Sequence, residues 1–311
     1  MMNKTSKIYV AGHTGMVGSA IRKKLESDGY SNLIYENSKS LDLRNQQAVS
    51  AFFQQHKPEY VFLAAAKVGG ILANSIYKAD FIYDNLLIQL NIINSAKLND
   101  VNKLLFLGSS CIYPKNSPQP IKEEYLLSGK LEETNEPYAI AKIAGIKMCQ
   151  SYNFQYDTNF ISVMPTNLYG DNDNYDLENS HVLPALIRKF HEAKKLNSDS
   201  VTIWGTGAPM REFLHVTDLA DACIFLMNSY NDSEIVNIGS GDEISIINLA
   251  KTIAKIVGFS GEIKTDLSKP DGTMRKLIDT AKIRRLGWNP KIELNEGIAM
   301  VYKELVSEVW F

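Results

Sequence analysis

The sequence contains few cysteines, and their spacing excludes two classes of protein. Three cysteines, Cys111, Cys149 and Cys223, are spread over 311 residues. An odd and widely spaced set provides neither the pairs of a disulfide framework nor the ligand spacing of a structural zinc site. We therefore expect free thiols, no bound metal and a cytoplasmic location.

Long apolar runs and an excess of one charge are also lacking. The stretch that comes nearest to a membrane span, VFLAAAKVGGIL, contains Lys67 and falls short of the roughly 20 residues required. The net charge is −2, from 33 basic and 35 acidic residues, and gives no electrostatic reason to bind nucleic acid or a membrane. Polar residues lead directly into the first predicted strand, so we expect no signal peptide.

The sequence does contain a regular alternation of apolar and amphipathic segments. It predicts buried strands at 7–12, 32–37, 60–66, 103–110 and 160–170, with helices at 15–29, 45–56, 80–99 and 137–153. Such alternation is typical of a parallel sheet covered on both faces. We predict an α/β fold, with a Rossmann-type doubly wound parallel sheet in residues 1–170 and a smaller C-terminal α/β substrate domain in 171–311. No linker marks the boundary, so later segments can return to the first domain.

Three glycines follow the first predicted strand in the segment VAGHTGMVG. Their G-x-x-G-x-x-G pattern opens the first predicted helix. Glycines there allow the backbone to approach a pyrophosphate, which binds at the helix N-terminus. The loop therefore predicts a dinucleotide site, with these binding residues: Gly12, His13, Thr14, Gly15, Met16, Val17 and Gly18.

The end of the second predicted strand bears on which dinucleotide binds. Glu36 lies 18 residues after Gly18 and suits a free ribose 2′-hydroxyl, as in NAD sites. Lys39 instead suits the 2′-phosphate of NADP, and a solvated charge pair is a third reading. The other positions predicted to contact the cofactor are Ser38, Lys39, Asp42, Leu43, Ala64, Lys142, Pro165, Asn167, Leu168 and His181.

Tyr138 and Lys142 lie four residues apart in the helix predicted at 137–153, so they share a helix face. A neighbouring ammonium lowers the pKa of a tyrosine, which is about 10 when unperturbed. Ser109 ends a predicted strand, and alternation directs Ser109 and Cys111 to the same side of an extended chain. A lone Tyr-x-x-x-Lys is common on helix surfaces, but here it accompanies a phosphate loop and a strand-end serine.

This combination resembles the extended short-chain dehydrogenase/reductase family. The resemblance implies that Ser109 polarises a substrate carbonyl, Tyr138 exchanges its proton and Lys142 tunes Tyr138. Five further segments, GSSCIYP, EPYAIAKIAG, MPTNLYG, NSHVLPALIRKFHEA and WGTGAPMREFLHV, resemble one branch of that family, the GDP-L-fucose synthases. Members of that branch epimerise a GDP-4-keto-6-deoxy-mannose at C3 and C5 and reduce C4 with NADPH. The resemblance therefore implies this activity, and it also implies a homodimer.

The epimerisation residues of that branch match Cys111 and His181. A carbonyl at C4 acidifies the protons on C3 and C5, and inversion removes a proton from one face and returns one to the other. A thiol and an imidazole have unperturbed pKa values of about 8.5 and 6.5, which bracket neutral pH. We expect Cys149, Cys223 and His215 to be structural.

The resemblance also assigns four residues to the GDP-sugar. Arg211, expected in a Gly/Pro-rich loop, suits bidentate contact with phosphate, and Trp204 offers a stacking surface unless it belongs to the core. Lys189 and Asp271 are the other two residues assigned to the GDP-sugar. The alternative is that each is a solvated charge on the surface. Helices 80–99 and 137–153 are the implied dimer surface, through Leu87, Leu90, Ile93 and Met148, unless these residues face the sheet.

The sequence departs from that branch in its cofactor loop. Thr14 and Ser38 stand where the branch carries arginines that suit NADPH. NADP(H) is therefore the expected cofactor, with NAD(H) as an alternative. Three other functions stay open: a C4 reductase of another GDP-4-keto sugar such as a GDP-heptose, a nucleotide-sugar 4-epimerase that retains NAD, and a non-catalytic protein.

Overall fold

Six parallel strands form the central sheet of the computed structural model, which describes residues 1–177, 180–269 and 271–307. Across the sheet the strands are β2 (Leu33–Ile34), β1 (Ile8–Ala11), β3 (Tyr60–Leu63), β4 (Lys103–Leu107), β5 (Phe160–Pro165) and β9 (Val236–Ile238). Every neighbouring pair is parallel. The predicted doubly wound parallel sheet is confirmed.

Helices cover both faces of this sheet. One face carries α1 (Met16–Ser27) and α7 (Val216–Ser229), and the other carries α2 (Gln46–His56), α4 (Lys78–Leu98) and α5 (Glu136–Tyr156), with the short α3 (Ile71–Ile76) before α4. Strand alternation divides the core, because Ile8 and Val10 pack with the first group and Tyr9 and Ala11 with the second. Buried apolar side chains on both faces explain the continuous apolar strands of the sequence.

A second sheet is built around β8 (Met210–His215), whereas α7 and β9 of the C-terminal half belong to the central sheet and its covering helices. β6 (Asn167–Tyr169) and β12 (Arg275–Lys276) pair with β8 in parallel, and β10 (Glu243–Ser245) pairs with it antiparallel. A two-stranded sheet joins β7 (Ser200–Trp204) to β11 (Glu262–Asp266). The remaining helices are α6 (Val182–Lys195), α8 (Ile246–Val257), α9 (Ala281–Arg285) and α10 (Leu294–Ser307).

All five predicted strands are shorter in the structure, and two of them differ in more than a few terminal residues. The segment 160–170 divides at Thr166, since β5 belongs to the central sheet and β6 pairs with β8. The segment 32–37 forms only β2, because the Asn37 carboxamide accepts from the backbone N–H groups of Lys39 and Ser40 and turns the chain.

The burial of individual side chains shows which of the residues discussed above lie in the core and which lie at the surface. Cys149 and Cys223 are fully buried, and His215 accepts from the Thr217 N–H at the start of α7. Ile93 is fully buried in the core, whereas Leu90 is 44% exposed. Of these two residues, only Leu90 can contribute to a dimer surface on α4. Within the described residues, no helix combines the length and the apolar character of a membrane span.

Candidate active site

A cavity of about 780 Å³ lies at the carboxyl ends of β1, β3 and β4, a volume within the usual range of ligand sites. The strand order reverses at β1, because β2 lies on one side of it and β3 on the other, and ligands of open α/β sheets bind at such points. All the predicted cofactor-binding residues except His13 and Lys39 line the cavity, as do Ser109, Cys111 and Tyr138. His13 instead stacks on the Tyr35 ring, with centroids 5.1 Å apart.

The glycine loop fits a dinucleotide pyrophosphate. Gly12 has φ +87°, and a Cβ there would lie 2.7 Å from the Ala65 backbone nitrogen, so only glycine allows this close approach. Gly15 is the N-cap of α1, with no side-chain cap among the described residues and no acidic residue in the first turn. The free N–H groups and the helix dipole therefore favour an anion at this end of α1.

The structure brings Ser109, Tyr138 and Lys142 together at the other end of the cavity. Ser109 follows β4, and its side chain lies beside that of Tyr138 and acts on its pKa. Lys142 lies on the same face of α5, with Nζ 5.9 Å from the Tyr138 ring centroid. Its Nζ donates to the Leu107 carbonyl at 2.8 Å and lies 4.9 Å from the Phe106 ring centroid. These contacts direct the ammonium towards the cavity end where β4 stops.

Burial dominates the electrostatics of this pair. It raises the pKa of Tyr138, and a negative charge on Cys111 adds to this, while the Ser109 side chain opposes it. Burial also lowers the pKa of Lys142 to about 7. The expected lowering of the Tyr138 pKa by Lys142 is therefore absent from the structure, because Lys142 is only partly charged near neutral pH.

Cys111 and His181 reach the same cavity from different parts of the chain. Cys111 lies on the short 3₁₀ turn after Ser109, and His181 is the N-cap of α6. The Asn135 side chain donates to Cys111 Sγ at 3.3 Å, and Lys276 Nζ lies 3.6 Å from the same sulfur. Although the His181 ring is open to the cavity, surrounding protein lowers its pKa, and the nearby Lys276 charge adds to this.

Lys276 and Asn135 are site residues that the sequence analysis missed. Lys276 lies on β12, which pairs with β8, and Asn135 is the N-cap of α5. Neither has a local motif, since each reaches Cys111 only through the tertiary fold.

The four residues assigned to the GDP-sugar do not line this cavity. Lys189 Nζ lies 5.5 Å from the Trp204 ring centroid, and Trp204 is 56% exposed, so it does not belong to the core. Arg211 lies within β8 rather than in a loop, where burial lowers the pKa of its guanidinium and the Asp271 charge opposes this. Asp271 accepts from the Thr206 N–H and hydroxyl at 2.9 and 2.8 Å, so its carboxylate already holds a turn.

This fold and site define a class, the dinucleotide-dependent oxidoreductases and epimerases that use a Ser, Tyr and Lys set. Residues 8–239 match the model of the NAD dependent epimerase/dehydratase family, and the chain belongs to this family.

The resemblance to the GDP-L-fucose synthases is confirmed by relatives of known name. The chain is 59% identical over 309 residues to the "Putative GDP-L-fucose synthase 2" of Arabidopsis thaliana, covering 99% of this chain and 94% of that protein. It is 53% identical over 306 residues to the GDP-L-fucose synthase of Escherichia coli (strain K12), covering 96% and 95%. A solved GDP-mannoheptose C4 reductase from Campylobacter jejuni with NADP bound is 47% identical, with a TM-score of 0.91 over 97% of this chain and 99% of that one.

Proposed function

We propose that this protein converts GDP-4-keto-6-deoxy-mannose to GDP-L-fucose, epimerising C3 and C5 and then reducing C4 with NADPH. The observation that carries the proposal is the arrangement of two kinds of chemistry on one cavity. Cys111 and His181 supply an acid–base pair beside the Ser109, Tyr138 and Lys142 set. The relatives named GDP-L-fucose synthase support the same substrate.

The reduction uses the hydroxyl end of the site. Ser109 donates a hydrogen bond to the C4 carbonyl oxygen, and Tyr138 gives its proton to that oxygen as C4 becomes a carbinol. When NADPH is bound, its nicotinamide supplies the hydride. Lys142, whose pKa is about 7 in the cofactor-free protein, would hold the nicotinamide ribose by donating hydrogen bonds.

The epimerisations use the thiol end of the site. Cys111 and His181 remove a proton from one face of C3 or C5 and return one to the other, and the electron pair moves onto the C4 oxygen in between. Ser109 and Tyr138 stabilise this oxygen by donating hydrogen bonds. Lys276, 3.6 Å from Sγ, stabilises negative charge on the sulfur.

A second candidate is C4 reduction of a GDP-heptose with little or no epimerisation. The likeness to the Campylobacter jejuni C4 reductase favours it. Both candidates need Ser109, Tyr138 and Lys142, but only the first requires an acid–base pair for carbon. The Lys276 and Asn135 contacts to the Cys111 sulfur therefore favour the first.

The assembly and location are also proposals. We propose a homodimer through α4 and α5, since both helices present apolar side chains to solvent. Tyr83 is 64% exposed, Leu90 44% and Ile140 43%. The three free cysteines support the cytoplasm as its location.

One incubation tests the function. The protein is incubated in deuterated water with NADPH and GDP-4-keto-6-deoxy-mannose, and the product is examined by mass spectrometry and NMR. Deuterium at both C3 and C5 of a reduced sugar is the expected result. Reduced sugar without ring deuterium would favour plain C4 reduction, and turnover of only a GDP-heptose would favour the second candidate. Cys149→Ala is the matched control for Cys111→Ser, because it removes a buried thiol remote from the cavity wall.

A further inference from the structure

The structure separates the two charged residues at the end of β2. Glu36 is half-buried and lies on the cavity wall, whereas Lys39 is exposed and is not among the residues described on that wall. The charges of Arg22 and Glu36 act on the His13 ring of the glycine loop in opposite directions. The guanidinium carbon of Arg22 lies 5.9 Å from the Tyr35 ring centroid, and Arg22 is not among the residues described on the cavity wall. On the described wall itself, an acid rather than a base therefore faces the region that adjoins a pyrophosphate bound at α1.

A turn holds the Glu36 carboxylate in place. Ser40 Oγ donates to Glu36 Oε2 at 2.5 Å, and Asn37 Oδ1 accepts from the Lys39 N–H at 2.9 Å. A carboxylate offers about four acceptor sites, so the bond from Ser40 leaves capacity for two ribose hydroxyls.

The cations of the cavity are already engaged or lie elsewhere. Those on the described part of the wall are Arg44, Lys67, Lys142 and Lys276. Arg44 donates through Nε and Nη2 to the two carboxylate oxygens of Asp42, each at 2.9 Å, and Lys67 Nζ donates to Asp84 at 2.9 Å. The other two lie at the Tyr138 and Cys111 end. A phosphate beside Glu36 would therefore meet a carboxylate without a free cation on the described wall to offset it.

We propose that Glu36 selects the dinucleotide, accepting hydrogen bonds from the adenosine 2′- and 3′-hydroxyls of NADH and repelling the 2′-phosphate of NADPH. The protein then lacks the strong preference for NADPH that a cation at this position would confer, and it uses either dinucleotide. The inference rests on the proposed function only in placing a dinucleotide in the cavity.

Fluorescence titration of NADH and NADPH into the sugar-free protein tests this without turnover. We expect the two dissociation constants to lie within about tenfold of each other. Glu36→Gln should weaken NADH about tenfold, since hydrogen bonds to a charged group are the stronger kind, and should tighten NADPH by removing the repulsion. Lys39→Gln, the matched control, should leave the ratio of the two constants unchanged.

Three results would overturn the inference: wild-type protein that favours NADPH by more than tenfold, a ratio unaffected by Glu36→Gln, or a selective loss of NADPH binding in Lys39→Gln. Failure of both dinucleotides to bind would overturn it together with the cofactor part of the proposed function. The predicted shift in selectivity without turnover of the GDP-sugar would support the inference and contradict the proposed function.

Discussion

Replacing Lys142 by methionine should change how the stability of the cofactor-free protein depends on pH. The Lys142 side chain is 3% exposed, among apolar groups that include Phe106. Burial lowers its pKa from 10.5 to about 7. At about 1.4 kcal/mol per pKa unit, this corresponds to roughly 5 kcal/mol that favours the neutral amine in the folded state.

The sign follows from proton counting. The folded pKa is below the unfolded one, so between about pH 7 and 10.5 the unfolded chain holds an extra proton at Lys142. The free energy of unfolding therefore rises with pH across this window, and the variant lacks this contribution. Urea denaturation at pH 7 and pH 9 should show the wild type gaining about 2 kcal/mol relative to Lys142→Met.

Lys103 provides the matched comparison for this measurement. It is also 3% exposed, its Nζ donates to the Leu226 and Met227 carbonyls, and burial lowers its pKa to about 8. Lys103→Met should remove a similar pH-dependent contribution that begins about one pH unit higher. Parallel profiles of wild type and Lys142→Met would refute the reasoning, because they would mean that the amine stays charged inside the fold.

Three further predictions concern single residues of the cavity. Tyr138→Phe should reduce the rate of C4 reduction by about 10²–10⁴ with unchanged binding of NADPH in a fluorescence titration; full turnover would remove Tyr138 from the mechanism. Cys111→Ser should slow deuterium uptake at C3 and C5 more than hydride transfer to C4, and uptake at the wild-type rate would contradict its role. Gly12→Ala should weaken dinucleotide binding at least tenfold and lower the melting temperature, because the residue has φ +87° and its new Cβ meets Ala65; wild-type binding measured by calorimetry would count against the fit of the loop.

Local patterns in the sequence predict the parts of the fold that depend on nearby residues. The glycine loop, the strand–helix alternation and the four-residue spacing of Tyr138 and Lys142 each reflect one turn or one element. These features could be predicted because the backbone geometry that creates them spans only a few residues. Ser109 and Cys111 do reach one cavity, but Cys111 lies on a 3₁₀ turn and not on the extended chain from which their common side was predicted.

Other features depend on packing between distant segments. Lys276 reaches Cys111 across 165 positions in the chain, and no periodicity signals that contact. The engagement of Asp271 by Thr206 and the placement of Arg211 in β8 arise in the same way. The pKa of Tyr138 was predicted in the wrong direction, because a spacing rule identifies the neighbouring ammonium but not the burial that outweighs it.

The coupling of Cys111 to Tyr138 gives the proposed function a reason for the order of its steps. C3 and C5 are acidic only while C4 is a carbonyl, so reduction ends epimerisation. Burial raises the pKa of Tyr138, and a negative charge on Cys111 adds to this, so Tyr138 gives up its proton less readily while the sulfur is charged. Protonation of the sulfur by the sugar removes this obstacle.

Cys111→Ser tests this coupling through the pH dependence of reduction alone. With a GDP-4-keto sugar whose C3 and C5 are already inverted, the rate of C4 reduction at high pH reports the protonation of Tyr138. Serine carries no charge, so the alkaline fall in rate should move to lower pH than in the wild type. The matched variant Cys149→Ala should leave that fall in place. An alkaline fall at the same pH in all three proteins would mean that the thiol and the phenol titrate independently, and the order of steps would then need another cause.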